Sequence, residues 1–201
     1  MKKHPKPTRS QLGPAIRLLA LLTLITGIFY PLAVTGLAQL FFPKEANGSL
    51  IIVDGEAVGS EQIGQPFSEP GYFWSRPSMT EPFPYNAAAS AGSNLAPTYS
   101  VLLELVTERV EALQEADPDS ADPVPVDLVA ASGSGLDPHI SVAAARYQVP
   151  RVARIRDLEE AVIYELVDQF TEPRQFGILG EPRVNVLRLN LALDALQSSG
   201  Q

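Results

Sequence analysis

The longest apolar run of the chain lies near the N-terminus. Residues 18–43, "LLALLTLITGIFYPLAVTGLAQLFFP", contain no ionisable side chain except Tyr30. A helix that crosses the ~30 Å hydrocarbon core of a bilayer needs about 20 mainly apolar residues. The run therefore predicts one transmembrane helix, kinked at Pro31. A cleaved signal peptide is the alternative, because "GLA" at 36–38 resembles a cleavage site, but a typical signal core has only about 7–15 apolar residues.

Small and polar residues within this run indicate contacts with other helices in the membrane, where close approach and hydrogen bonding drive association. The predicted contacts are Thr23, Gly27, Tyr30 and Gly36. The basic tail, residues 1–17, is expected to stay in the cytoplasm by the positive-inside rule. Residues 44–201 then lie in the periplasm, and the protein is a single-pass protein of the inner membrane in contact with the lipid bilayer.

Beyond the predicted transmembrane helix, short stretches of alternating or periodic apolar residues replace the continuous apolar run. A β-hairpin is predicted over 49–60, turning at Asp54-Gly55. Residues 64–97 are irregular, yet their aromatic side chains are numerous enough to anchor them to a core. An apolar stripe starting at Leu102 predicts a helix capped by Thr98 or Ser100, and "VDLVA" at 126–130 has strand character.

The C-terminal third shows helical periodicity. Ser141 is a candidate N-cap for a short helix that ends at Tyr147, and Pro150 is placed to begin another helical turn. Asp157 and Glu160 resemble the capping box of a further helix. Residues 184–191 fit a strand or a helix. These patterns predict an α+β fold: one N-terminal transmembrane helix (18–43) followed by a single mixed α+β extracytoplasmic domain (44–201).

Composition narrows the possible functions. The chain has no cysteine and two histidines, which excludes disulfides, thiol nucleophiles and His-cluster metal sites. From Lys44 onward, ten Lys/Arg residues stand against twenty-three Asp/Glu, a net charge of −13. Such an acidic domain repels nucleic acid. We therefore expect no metal and no nucleic-acid partner.

The segment "ASGSGLDPHIS", residues 131–141, holds the residue types of a hydrolase site or a phosphate loop. Ser132 or Ser134 would be the nucleophile, with Asp137 and His139 completing a triad, but the G-x-S-x-G pattern fails. The P-loop pattern is also absent. The favoured interpretation is a turn, permitted by its glycines, that leads from a strand into the helix capped by Ser141.

Two sets of side chains are candidates for contacts with a partner protein. Phe73 and Trp74 suit either core anchoring or a protein interface. Arg146, Arg151, Arg154 and Arg156 form either a solvated helix face or a docking patch for an acidic partner surface or lipid headgroups. The predicted partner contacts in the domain are Phe73, Trp74, Arg151 and Arg154.

Several blocks together carry a family resemblance. They are "GIFYPLAVTGLAQLFFP", "IGQPFSEPGYFWSRPS", "YNAAASAGSNLAPT", "DLVAASGSGLDPHIS", "YQVPRVAR" and "LGEPRVNVLRLNLALDAL". They occur in order from about residue 18 to 196 and closely resemble the KdpC family, the C subunit of the bacterial Kdp potassium-transporting P-type ATPase. The chain has no T-V-G-Y-G filter sequence and no D-K-T-G phosphorylation motif, so the resemblance is to an accessory subunit that is not itself the enzyme.

The resemblance implies partners and a function. The partners are the K⁺-translocating subunit, the ATP-hydrolysing subunit and a small peptide subunit of a high-affinity K⁺ uptake complex. The family acts as a catalytic chaperone that raises the ATP affinity of the hydrolysing subunit, and Gln148 in "YQVPR" would be the nucleotide contact. No firmly bound cofactor is expected, and the predicted topology makes any effect on ATP indirect. A membrane-tethered periplasmic binding module unrelated to transport is the alternative.

Overall fold

The computed structural model describes residues 11–199, which fall into two compact units with the boundary between Ser49 and Leu50. The first unit contains α1 (Leu12–Leu24), a π-helical turn (Ile25–Phe29), α2 (Tyr30–Phe41) and α3 (Pro43–Ala46). The second contains β1 (Leu50–Val53), β2 (Glu56–Ser60), α4 (Ser100–Ala116), α5 (Val126–Val129), β3 (His139–Ser141), α6 (Val142–Arg156), α7 (Glu160–Gln169), β4 (Thr171–Glu172), β5 (Arg183–Asn185) and α8 (Val186–Ser199). The mixed α+β content agrees with the prediction.

The first unit is dominated by one continuous helix of 30 residues, Leu12–Phe41, which contains an 18-residue stretch with a mean hydropathy of 2.1. By length and composition it is able to cross a membrane. The helix begins earlier than the predicted residue 18, and no residue in it is buried within the chain. The π-helical turn ends two residues before Pro31, which lacks the N–H needed for the regular helical bond, and the predicted kink at Pro31 stays a prediction.

The second unit contains two small antiparallel sheets. The predicted hairpin is confirmed: β1 pairs with β2, and Asp54 and Gly55 adopt positive φ angles of 52° and 85°. The other sheet has the order β3-β5-β4, with His139 opposite Asn185 and Thr171 opposite Val184. Its central strand continues directly into α8, so residues 184–191 are strand at first and then helix.

The core of the second unit lies among α6, α7, α8 and β5. Burial of large aliphatic and aromatic side chains drives this packing, at about 25 cal/mol per Å² of apolar surface. The fully buried side chains include Phe73, Ile140, Val152, Ile163, Leu189 and Leu193. Phe73 comes from the irregular segment 64–97, which confirms that its aromatic residues anchor it.

Several local predictions were wrong, for identifiable reasons. Residues 126–129 form a single helical turn, because a short apolar run fits either state. Helix α4 begins at Ser100 without a side-chain cap. Ser141 does cap α6, accepting the amide of Ala144 at 3.0 Å, but α6 continues through Pro150 to Arg156.

The predicted capping pair before α7 is also wrong. Asp157 lies outside the helix and adopts a left-handed conformation that ends α6, with φ of 54°. Glu159 precedes α7 and makes no side-chain cap. The motif that was interpreted as a turn also contributes a strand, His139–Ser141, because its backbone pairs with β5, a partner remote in sequence.

Candidate functional site

Side chains from α6 and α8 hold an extended backbone segment of the irregular region. The amide group of Gln148 accepts the Trp74 N–H at 2.7 Å and donates to the Trp74 carbonyl at 3.2 Å. The amide group of Asn190 likewise accepts the Phe73 N–H at 2.9 Å and donates to the Phe73 carbonyl at 3.0 Å. A side-chain amide carries the same donor and acceptor as a peptide unit, so these two residues replace a neighbouring strand.

Two arginines complete this arrangement, which we call the loop clamp: Gln148, Arg151, Arg156 and Asn190. Arg151 donates to the carbonyls of Pro70 and Tyr72, and to Gln148 Oε1 at 2.7 Å, while its guanidinium lies 4.6 Å from the centre of the Trp74 ring. Burial lowers the pKa of Arg151 to about 10. A buried cation without a carboxylate partner costs free energy, and its hydrogen bonds to carbonyl oxygens offset that cost.

Arg156 binds the same segment from the end of α6. It donates to the Gly71 carbonyl at 2.8 Å and forms an ion pair with Asp194 at 2.8 Å. Its guanidinium also lies 4.4 Å from the centre of the Tyr72 ring, a cation–π contact. Sequence reasoning missed Asn190 as a site residue and considered Arg156 only as a member of the arginine run. The signal for Asn190 was an amide side chain in the otherwise apolar run "VLRLNLAL".

The structure places the predicted partner-contact residues at different depths. Phe73 is fully buried, and Arg151 is 2% exposed. Trp74 is half-buried, and Arg154 is exposed and pairs with Asp117 at 2.8 Å. Their contact with a partner stays a prediction, because the clamp already accounts for Phe73 and Arg151. The interpretation of the arginine run as a solvated helix face is wrong for Arg151 and Arg156.

Gln148, the predicted nucleotide contact, is 1% exposed. Its oxygen accepts from Trp74 and Arg151, and its nitrogen donates to Trp74 and to the Ala144 carbonyl at 3.2 Å. These four bonds use the full capacity of a side-chain amide. Contact with a nucleotide would therefore require the loop clamp to open, and it stays a prediction.

The serine-rich motif forms a closed turn. Ser132 Oγ accepts the amide of Gly135 at 2.8 Å, and Ser134 Oγ accepts that of Leu136 at 3.1 Å. Gly135 has a φ of +68°, and a Cβ at this position would lie 2.5 Å from the carbonyl oxygen of Ala91. Glycine is therefore required by both conformation and space. The hydroxyl groups serve the turn, as the favoured interpretation predicts.

An ionic network follows this turn. Asp137 accepts from His139 Nδ1 at 3.2 Å and from Arg76 at 3.1 Å, while His139 Nε2 lies 3.8 Å from Glu172. Burial alone would raise the pKa of Asp137, but hydrogen bonds from His139 and the charge of Arg76 lower it overall. The imidazole thus lies between two carboxylates, and Ser132 and Ser134 bond to backbone amides instead.

The network lines a cleft with a volume of about 960 Å³. Asp127, Asp137 and His139 line the cleft, and the loop between β4 and β5 supplies Leu179 and Glu181. Asp127 also accepts the amide of Ser141 at 2.6 Å, which fixes the start of α6. Within residues 11–199, no group of three or more acidic or histidine side chains is arranged to hold a metal ion.

In the first unit, the predicted intramembrane contacts lie along the apolar helix. Thr23 belongs to α1, Gly27 to the π-helical turn, and Tyr30 and Gly36 to α2. All four are exposed within the chain. Thr26 donates its hydroxyl to the Leu22 carbonyl at 2.8 Å, which satisfies that polar group inside the helix.

Comparison with known proteins gives a consistent match. The family model KdpC, "K+-transporting ATPase, c chain", matches residues 12–195. A "Potassium-transporting ATPase KdpC subunit" from Methylococcus capsulatus is 64% identical over 92% of this chain and 97% of the relative. Proteins of the same name from Dechloromonas aromatica and Polaromonas naphthalenivorans are 58% and 61% identical over 94% and 92% of this chain, and over 98% and 95% of their own lengths.

One apolar helix able to span a membrane, followed by a mixed α+β domain, is the architecture of a class of single-helix proteins with one folded domain. Within that class, the extent and identity of these matches are decisive. The chain belongs to the KdpC family, and it is accordingly an accessory subunit of the Kdp potassium-transporting ATPase.

Proposed function

We propose that the chain anchors itself through Leu12–Phe41 and assembles and stabilises the Kdp pump, with its α+β domain on the periplasmic side of the inner membrane. The observation that carries this is the 30-residue apolar helix, of which no residue is buried within the chain. Apolar surface of this extent needs lipid or other helices around it. The partners are the K⁺-translocating, ATP-hydrolysing and small peptide subunits.

The effect on the hydrolysing subunit is indirect. The chain raises ATP affinity by stabilising one conformation of the complex, a coupling free energy between distant sites. Support comes from Gln148, whose hydrogen bonds are all made within the domain. The chain is not itself catalytic in this proposal, and ATP is bound only through the complex.

Co-purification in mild detergent tests the assembly. Gly27→Leu enlarges the residue in the π-helical turn and is expected to lower recovery of the other subunits, because small residues allow close helix contact. Ala33→Leu, which enlarges a small residue on α2 that is not a predicted contact, is the matched control. Recovery of the wild-type chain as a free monomer would contradict the proposal and favour the tethered binding module.

A topology reporter fused after residue 60 tests the placement of the domain. A periplasmic signal is expected, because five Lys and Arg residues precede the apolar run at residue 18, whereas Lys44 is the one basic residue close behind it. A cytoplasmic signal would overturn that placement and favour direct contact between Gln148 and ATP.

A further inference from the structure

The loop between β4 and β5 exposes apolar side chains at its tip. Phe176 is 84% exposed and Ile178 is 75% exposed, more than any other large apolar side chain among residues 11–199. Leu179 is also exposed and lines the 960 Å³ cleft. We call Phe176, Ile178 and Leu179 the apolar tip. Phe176 and Ile178 are both more exposed than any large apolar side chain on the helix Leu12–Phe41, the most exposed of which is Leu40 at 72%.

The tip is a structured turn. Gln175 and Leu179 exchange two backbone hydrogen bonds of 2.9 Å, and Ile178 N–H donates to the Gln175 carbonyl at 3.2 Å. Beside them, Arg174 and Glu181 form an ion pair at 2.6 Å. The backbone is therefore held in place before any partner binds, which lowers the entropy cost of association.

Phe176 is an unfavourable residue for this turn. Phe176 and Gly177 both have positive φ, 54° and 77°, as the central residues of a type I′ turn do. Asn or Asp is preferred at the first of these positions, and the β1–β2 turn of the same chain uses Asp54 there. Phenylalanine at this position neither favours the turn nor fills the core. Its exposed ring is therefore the feature of this residue that is available for contact with a partner.

Charge decides between lipid and protein as the surface that covers the tip. Each arginine beside the tip is paired with a carboxylate, Arg174 with Glu181 and Arg183 with Glu172. The chain from Lys44 onward has a net charge of −13, which opposes attraction to anionic lipid headgroups. The loop also lacks Trp and Tyr, the residues enriched at membrane interfaces. An uncharged protein pocket suits it better, because a projecting aromatic anchor is typical of binding hot spots.

We infer that the apolar tip docks into an uncharged apolar pocket of another subunit of the potassium-transporting ATPase. This inference rests on the proposed function. Phe176 and Ile178 enter the pocket, and Leu179 extends the contact toward the cleft. Val126 lies on the cleft and is itself exposed, so the partner covers it as well.

The first experiment uses the full chain co-expressed with the other pump subunits. Phe176→Asn removes the ring and suits the turn better, so the unfolding midpoint followed by Trp74 fluorescence is expected to be equal to or above that of wild type. Association with the other subunits is expected to weaken about tenfold or more, as for a truncated aromatic anchor. Leu103→Gln, at an exposed apolar position on α4, is the matched control and is expected to assemble like wild type.

The second experiment replaces Phe176 with the photo-crosslinker benzoylphenylalanine in intact membranes. An adduct with another pump subunit is the expected result. An adduct only with lipid, an adduct only with a second copy of the chain, or wild-type assembly of Phe176→Asn would overturn the inference and leave the proposed function intact. If the wild-type chain itself recovers no other subunit, the proposed function fails, and this inference fails with it.

Discussion

Replacement of Asn190 tests whether the loop clamp holds the irregular segment. Asn190 is 1% exposed and makes two hydrogen bonds with the backbone of Phe73. Asn190→Ala removes both and leaves a buried N–H and a buried carbonyl without partners, at about 1–3 kcal/mol each. The expected loss in the free energy of unfolding is therefore about 2–6 kcal/mol, a large share of the roughly 5–15 kcal/mol of an ordinary domain.

Asn190→Asp is the sharper variant, because it changes the chemistry while keeping the shape. One carboxylate oxygen of the variant still accepts the Phe73 N–H. The other replaces the wild-type Asn190 nitrogen, which lies 3.0 Å from the Phe73 carbonyl oxygen, and so faces another acceptor. Only a protonated carboxyl can donate there, so its pKa in the folded state should rise. Its stabilising bond is then present at low pH and is lost as the pH rises through that raised pKa.

Urea unfolding of the full chain in detergent measures both effects. The chain has one tryptophan, Trp74, which lies next to the clamped residue and reports on the second unit. Gln114→Ala, at an exposed amide on α4, is the control and should change stability by less than about 0.5 kcal/mol. A loss below about 1 kcal/mol for Asn190→Ala, with an unchanged denaturant slope, would refute the role of the clamp.

Three further predictions concern the turn and its network. Gly135→Ala should lower the free energy of unfolding by more than about 2 kcal/mol, because φ is +68° and the new Cβ would meet the Ala91 carbonyl oxygen. Gly133→Ala is the control, because a Cβ there has open space, and thermal unfolding measures both variants. Burial raises the pKa of Tyr85 to about 12, so absorbance titration should show one late tyrosine that Tyr85→Phe removes. The pKa of Asp137 is lowered, so Asp137→Asn should cost stability near pH 7, and the difference from wild type should vanish as the pH falls through the lowered value.

Each of these has a clear opposing result. Equal unfolding midpoints for the two glycine variants would refute the argument from positive φ and close packing at Gly135. Titration of every tyrosine near pH 10 would refute the burial of the Tyr85 hydroxyl. A pH-independent difference between Asp137→Asn and wild type would show that the ionic network with His139 and Arg76 does not favour the charged carboxylate.

The sequence predicts features whose causes are local. The apolar helix Leu12–Phe41 follows from composition, because a continuous apolar run of this length indicates such a helix however the rest of the chain folds. The β1–β2 hairpin follows from Asp54-Gly55, whose positive φ angles suit a tight turn. Ser141 caps α6 for the same reason, because the hydroxyl and the amide of Ala144 are only three residues apart. The family resemblance is likewise a property of the sequence.

The tertiary structure decides everything that depends on distant partners. Phe73 and Asn190 are 117 residues apart, and Trp74 and Gln148 are 74 apart, so no local pattern indicates that their polar groups pair. Arg151 is a second residue whose position the sequence does not predict. An arginine on a helix is expected at the surface, and only the folded structure brings it to the carbonyl oxygens that accept its hydrogen bonds in the interior. The sequence by itself therefore determines the apolar helix, the hairpin and the family, whereas long-range hydrogen bonds and burial decide which polar side chains are internal and which apolar side chains stay exposed.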